Sequence, residues 1–296
     1  MVVLILKLYF YCNYFSLISI VTFMLTSILD FFENLSTLHK FLWIVICLSI
    51  FWIAEGVYPL FSFSNNKLKH SKLNLILLGT TMLINVIFGI ATTGIFEWTA
   101  ANNFGLFHLM ALPVWLELLL AIMALDLIAQ YLVHFLLHKV SFMWRFHMVH
   151  HSDTAVNVTT GTRHHPGDFI MRETFALFAI IIFGMPVAFY LIYRILTIFF
   201  TYFSHANMNM PIWLDKMVAW VFISPNMHKF HHHFERPWTD TNYGNIFSIW
   251  DRIFGTLVYD DPHKIHYGLD VTDPSRSDDL GYQLKVPFDR SIKTDY

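Results

Sequence analysis

Apolar residues fall in long, nearly unbroken runs over the first half of the chain. Each run has the length of a membrane crossing, about 20 residues for roughly 30 Å of hydrocarbon. The runs predict helices at about 8–29, 41–61 (interrupted by Glu55), 73–96 (after the basic stretch KLKHSK at 67–72) and 113–138. The first follows a start that carries only Lys7. It lacks a basic n-region and a small-residue cleavage site, so it reads as a retained helix and not a signal peptide. A fifth apolar run, 175–200, is broken by Gly184-Met185-Pro186 and is too short for two complete crossings. It predicts a tight hairpin that dips into the membrane and returns, its turn covered by protein. A plain single crossing is the alternative. Residues 213–224 contain Asp215 and Lys216 and read as interfacial, with Trp213 and Trp220 at the boundary. From about Pro225 the chain turns polar and predicts short helices and loops.

The fold class is therefore all-α: a polytopic membrane protein with about four transmembrane helices, a re-entrant or short helical hairpin, and a histidine-rich helical cap. Three regions are expected: membrane helices at 1–111, a chemical part at 112–260, and a polar tail at 261–296. Composition agrees. Of 296 residues, 56% are apolar and only 14% charged, too few charges for the wetted surface of a soluble domain. Thirty Phe, 13 Tyr and 9 Trp exclude disorder, because they demand burial. A net charge of −2 gives no reason to expect a nucleic-acid partner. Cys12 and Cys47 both lie in apolar runs, which argues against a disulfide framework. The basic loop 67–72 is cytoplasmic by the positive-inside rule, and the parity of the crossings then brings the end of the fourth helix to the cytoplasmic face. The membrane is a bacterial inner membrane or an endoplasmic reticulum.

Histidine changes the picture. Of 17, twelve fall between His134 and His233. His134 and His138 end the fourth helix at i and i+4, on one face. His147, His150 and His151 form H-x-x-H-H, and His228, His231 and His232 repeat it. These eight exceed what one ion can use, so two ions are implied. Imidazole suits Zn, Fe, Ni and Cu. No cysteine and no H-E-x-x-H pattern accompanies them, and the nearest substrate at a membrane surface is a lipid chain. Attack on an unactivated C–H bond with O₂ needs redox iron, which neutral imidazoles can hold. His205 and His165 are further candidate ligands, and His164 and His233 belong to the surroundings or the surface. Asp126 and Asp168 are the candidate catalytic carboxylates. Asp126 lies at membrane depth, where a carboxylate serves a buried pair or site. Asp168 is placed to orient a ligand imidazole, with a helix cap as its plainer reading and Arg163 as its neutralising partner.

The pattern resembles the fatty acid hydroxylase / sterol desaturase superfamily of integral membrane di-iron oxygenases. The resemblance runs from Asp126 to Thr256: H-F-L-L-H at 134–138, W-R-F-H-M-V-H-H-S at 144–152, Asn157, R-H-H-P at 163–166, S-H-A-N at 204–207, P-N-M-H-K-F-H-H at 225–232, N-Y-G-N at 242–245 and I-W-D-R-I-F-G-T at 249–256. Asp168 departs from the family's usual Glu. The resemblance implies a fatty acid hydroxylase-like domain over 112–260 that holds two Fe ions, with zinc as a substitute in purified protein. It also implies a lipid drawn from the bilayer, O₂, and a separate electron donor (cytochrome b5-like, ferredoxin-like or a reductase), because no fused cytochrome-b5-like module is seen. Hydroxylation is the preferred outcome. Desaturation by the same site and cleavage of an ether lipid are close variants, and the apolar slot for the chain is expected between helices 3–4 and the hairpin. A histidine-rich metal transporter or sensor, a haem electron carrier and an inactive relative are the rival classes.

Overall fold

The computed structural model describes residues 23–63, 66–235 and 238–294. The predicted helix at 8–29 lies mostly outside them; residues 23–33 are helical. Helix α1, Thr37–Val57, begins at Ser36, whose side chain accepts the His39 N–H. Only Cys47, Phe51 and Glu55 are buried along it, as suits a helix with most of its surface toward lipid. Glu55, the interruption in that run, faces inward. It pairs with Lys67 at 2.8 Å and accepts the backbone N–H groups of Val158 and Asn207. Helix α2, Lys67–Ala101, is capped by Asn66 and runs 35 residues, about 52 Å at about 1.5 Å per residue.

Helix α3, Val114–Lys139, is a single rod with a π turn at Leu127–Leu132. After a break at Val140 comes α4, Ser141–His151, which carries the first H-x-x-H-H. A short turn, Val158–Thr162, leads into α5, Pro166–Phe183, and α6, Val187–His205. The elements α7 (Ile212–Ala219), α8 (Pro225–His231), α9 (Ile249–Ile253) and α10 (Leu280–Lys285) complete an all-α chain. Among the described residues, four segments are long and apolar enough to cross a membrane: Thr37–Val57, Lys67–Leu109, Val114–Lys139 and Val187–His205. Trp213 and Trp220 project from the surface around α7, at 66% and 74% exposure.

The hairpin predicted at Gly184-Met185-Pro186 is present, but its arms are longer than the apolar run. Counting apolar residues stops at Glu173 and Arg172, which the fold buries or half-buries in its interior; each arm is in fact about 27 Å long. Gly184 sits at φ 61°, which only a residue without Cβ adopts cheaply. Gly105 closes over it so tightly that a Cβ at Gly105 would collide with the Gly184 nitrogen. Leu125, Ala179, Ile180, Met185 and Phe189 make the core between α3, α5 and α6. Because α5 starts and α6 ends at the same pole of the bundle, everything flanking the hairpin meets there.

The C-terminal residues fold back over α4. Arg163, completely buried, reaches the carbonyls of Val149 and Ser277, and Arg145 donates to the carbonyls of Asp289 and Ile292. His70 bridges Asp153 and Asp278 at 3.0 and 2.7 Å. The pole is thereby roofed.

Candidate metal centre

Nine of the ten histidines singled out above meet at that pole, in two groups whose ligand atoms lie within 4.8 Å of one another. His134, His138, His147, His151 and His231 form the first; His150, His205, His228 and His232 form the second. The helical spacing does the sorting. On α4, His147 and His151 lie at i and i+4 and face the first group, while His150 turns to the second. On α8 and its C-cap, His231 faces the first group, and His228 and His232 share the second.

The outer nitrogens fix the rings. His134 Nδ1 donates to the Tyr243 carbonyl at 2.9 Å, His231 Nδ1 to the Thr241 carbonyl at 2.7 Å and His205 Nδ1 to the Thr201 carbonyl at 2.7 Å. His150 Nδ1 donates more weakly to the Arg163 carbonyl at 3.3 Å. His138 and His147 instead donate to carboxylates, Asp240 at 3.0 Å and Asp168 at 2.9 Å. A carbonyl or carboxylate can only accept, so each of these Nδ1 atoms carries the proton and each Nε2 carries a lone pair. Those lone pairs point inward at each other: His134 and His147 Nε2 are 3.0 Å apart, and His150 and His205 Nε2 are 3.2 Å apart. His138, His151 and His231 Nε2, and both nitrogens of His232, are buried with no hydrogen-bond partner.

Converging lone pairs repel, and unpartnered buried nitrogens cost free energy. A cation between them removes both penalties, so the residues fit a metal pair. Burial also keeps the rings neutral, as ligation requires. His147 is pushed down to about 3, and His150, His151, His228, His231 and His232 well below the ordinary histidine value, by desolvation first and by neighbouring histidines second for all but His147, where the Asp168 carboxylate opposes the shift. All-imidazole donor sets admit iron and zinc alike.

Other expected residues stand elsewhere. His165 joins neither group. It is the N-cap of α5, its Nδ1 accepting the Gly167 N–H at 3.0 Å, and its ring lies against Phe146. His164 is the nearer neighbour: it stacks on His150 and contacts Asp168 at 3.1 Å. Asp168 bonds His147, but Arg172 and not Arg163 neutralises it, at 2.9 Å one turn along α5. Asp126 is not turned toward the histidines. It is fully buried, and its two oxygens accept the Ile246 and Phe247 N–H groups and the Trp250 indole N–H, all at 3.0 Å. It ties the segment after Asn242 to α3. His233 accepts the His266 N–H outside both groups. The residues that sequence reasoning missed are Asp240 and the carbonyls of Thr241 and Tyr243; of these only Tyr243 falls in a motif, N-Y-G-N, and that motif does not mark its carbonyl as the support of His134.

A cavity of about 160 Å³ opens against the second group. His134, His150, His205 and His228 form its inner end, and α2, α3, α5 and α6 its walls, with Met82, Ala129, Ala176 and Ile198 among the apolar lining.

Residues 118–256 match the family described as fatty acid hydroxylase. The chain is 29% identical over 184 residues to the ornithine lipid hydroxylase OlsE of Rhizobium tropici, covering 61% of this chain and 52% of that protein. It is 30% identical over 165 residues to an alkylglycerol monooxygenase of Caenorhabditis elegans (54% of this chain, 30% of the relative) and 27% identical over 143 residues to the human one (47% and 30%). The chain thus spans about half the length, or less, of these relatives. No solved structure matches it.

Proposed function

We propose, from the match of residues 118–256 to the fatty acid hydroxylase family and the similarity to a lipid hydroxylase and a monooxygenase, that the chain is a member of the fatty acid hydroxylase/sterol desaturase superfamily, a membrane-bound, non-haem di-iron oxidoreductase that uses O₂ to hydroxylate a membrane lipid. The observation that carries this reading is the pairing of outward Nδ1 donors with inward Nε2 lone pairs across two adjacent histidine groups. In this reading His134, His138, His147, His151 and His231 hold one ion, and His150, His205, His228 and His232 hold the other. Bound iron supplies the redox chemistry needed against an unactivated C–H bond. The protein's own part is to hold nine neutral imidazoles in place, fix His147 through Asp168, and keep water from the site beneath the roof formed by residues 261–294.

The lipid enters the cavity from the bilayer between α2, α3, α5 and α6, and the carbon presented at its inner end reacts. Hydroxylation is favoured over desaturation because the relatives are named hydroxylase and monooxygenase. An ether lipid or an amino-acid-bearing lipid is accordingly the first substrate to try. Electrons come from a separate donor of the cytochrome b5, ferredoxin or reductase kind. The histidine pole faces the cytoplasm, a reading supported by Lys67, Lys69 and Lys72 at the start of α2, on the side of the histidine-facing end of that helix.

Comparative lipidomics of cells with and without the gene tests the activity. A lipid that gains one oxygen atom supports hydroxylation, and one that loses two hydrogen atoms redirects the reading to desaturation. The reading is abandoned if the purified protein binds no transition metal, or if His150→Ala and His231→Ala leave lipid oxidation intact.

A further inference from the structure

The cavity carries a charged station in its wall that holding metal does not require. Arg194, on α6, donates to Glu173 on α5 at 2.6 Å and to Asn85 on α2 at 3.3 Å. All three side chains line the cavity, and the Arg194 guanidinium also lies 5.8 Å from the Tyr190 ring. Asn85 and Arg194 fall in the middle of two helices that are long and apolar enough to cross a membrane, and Glu173 is 4% exposed. An ion pair at that depth is costly and needs a reason beyond helix packing, because Ile180 and Phe189 already join the hairpin's arms in an apolar core.

Its height along the cavity is informative. Glu173 lies one and a half turns beyond Asp168 on α5, and Arg194 three turns before His205 on α6. The guanidinium therefore stands roughly 10–15 Å from the histidine nitrogens. Between the two levels the wall is mixed, with Gln130 donating to the Tyr193 hydroxyl at 3.2 Å beside Ala129 and Ala176. The bonds to Glu173 and Asn85 leave further N–H groups of the guanidinium fork to serve a ligand. Glu173 cancels the charge, so the station favours an uncharged oxygen over a free anion.

We propose that Arg194 is a specificity-determining residue: it donates hydrogen bonds to an uncharged ether, ester, amide or hydroxyl oxygen of the lipid, and so sets which carbon of the chain reaches the second histidine group. This rests on the lipid-oxidation reading above, and Glu173 and Asn85 act as positioning residues that hold the guanidinium in the wall.

The test uses the full-length, metal-loaded protein in nanodiscs and two probes of equal chain length, 1-O-hexadecylglycerol and hexadecane. Wild type should bind the ether lipid at least about tenfold more tightly than the alkane, the size of one charge-assisted hydrogen bond. Arg194→Met should erase that preference while alkane affinity and metal content stay at wild-type levels. Should the single variant fail to fold because Glu173 is left unpaired, Arg194→Met/Glu173→Gln removes the stranded charge and should show the same loss. A preference that survives either variant overturns the proposal. So does an equal loss of affinity for both probes with a lowered melting temperature, which marks the pair as a mere strap between α5 and α6. With reductant and O₂, wild type should oxidise a narrow set of carbons and Arg194→Met a broader one. If no protein oxidises either lipid but the binding difference holds, the oxidation reading fails and the anchoring role stands.

Discussion

The two histidine groups lie side by side yet are supported differently. In the first, His138 and His147 lean on carboxylates, Asp240 and Asp168, and the group is walled by the Trp144 and Tyr243 rings. In the second, His150 and His205 lean on backbone carbonyls, with the Ser204 hydroxyl also beside His205 and, among the described residues, no carboxylate bonded to either, and three of its four members form the inner end of the cavity. A carboxylate behind an imidazole raises its basicity and holds its tautomer more firmly than a carbonyl does. In the proposed reading the first group would retain its ion, while the second, with fewer histidines and an open side, would meet substrate.

The largest expected effects come from breaking each group separately. His231→Ala and His205→Ala should each abolish lipid oxidation. Iron analysis should find His205→Ala retaining more metal than His231→Ala, since the latter opens the better supported group. Equal retention would remove the distinction between them. Next comes Asp168→Asn, which keeps the shape but weakens the hold on His147; metal affinity or activity should fall by about 10–100-fold, measured by chelator competition. Asp240→Asn should act in the same direction and by less, because Asp240 also faces Lys139 at the surface. The smallest effect belongs to His165→Ala. It removes an N-cap, worth about 1 kcal/mol, so thermal unfolding should shift by a few degrees while metal content and oxidation stay unchanged. Loss of iron in that variant would return His165 to the ligand set.

Much of this centre is legible in the sequence because helical spacing is local. The i, i+3, i+4 pattern at His147, His150 and His151 is enough to set one face, and the neighbour on the opposite stripe follows from the same arithmetic. The place of His165 follows a local rule: Pro166 occupies the first position of α5, so the preceding residue becomes the cap and its ring bends back to Gly167. Arg172 was likewise recoverable as the i+4 partner of Asp168 on one helix. Asp126 was not. Its partners lie 120 and more residues away, and no local rule joins a carboxylate on α3 to the amides of Ile246 and Phe247. The length of the hairpin arms was hidden for the same reason, since Glu173 looks polar until Arg194 is placed beside it.

The π turn at Leu127–Leu132 has a consequence for how the protein accommodates change. It lies between Asp126 and His134, so the bilayer-embedded part of α3 and the part that carries His134 and His138 are phased independently about one axis. Each residue of a regular helix advances about 100°. A rod without the extra residue would turn His134 and His138 by that angle, away from the other imidazoles, whenever Asp126 kept its grip on the 246–250 segment. The wide turn works as a phase adjuster: the lower half can answer to lipid thickness and to Asp126, the upper half to the metal, and neither has to compromise its bearing for the other.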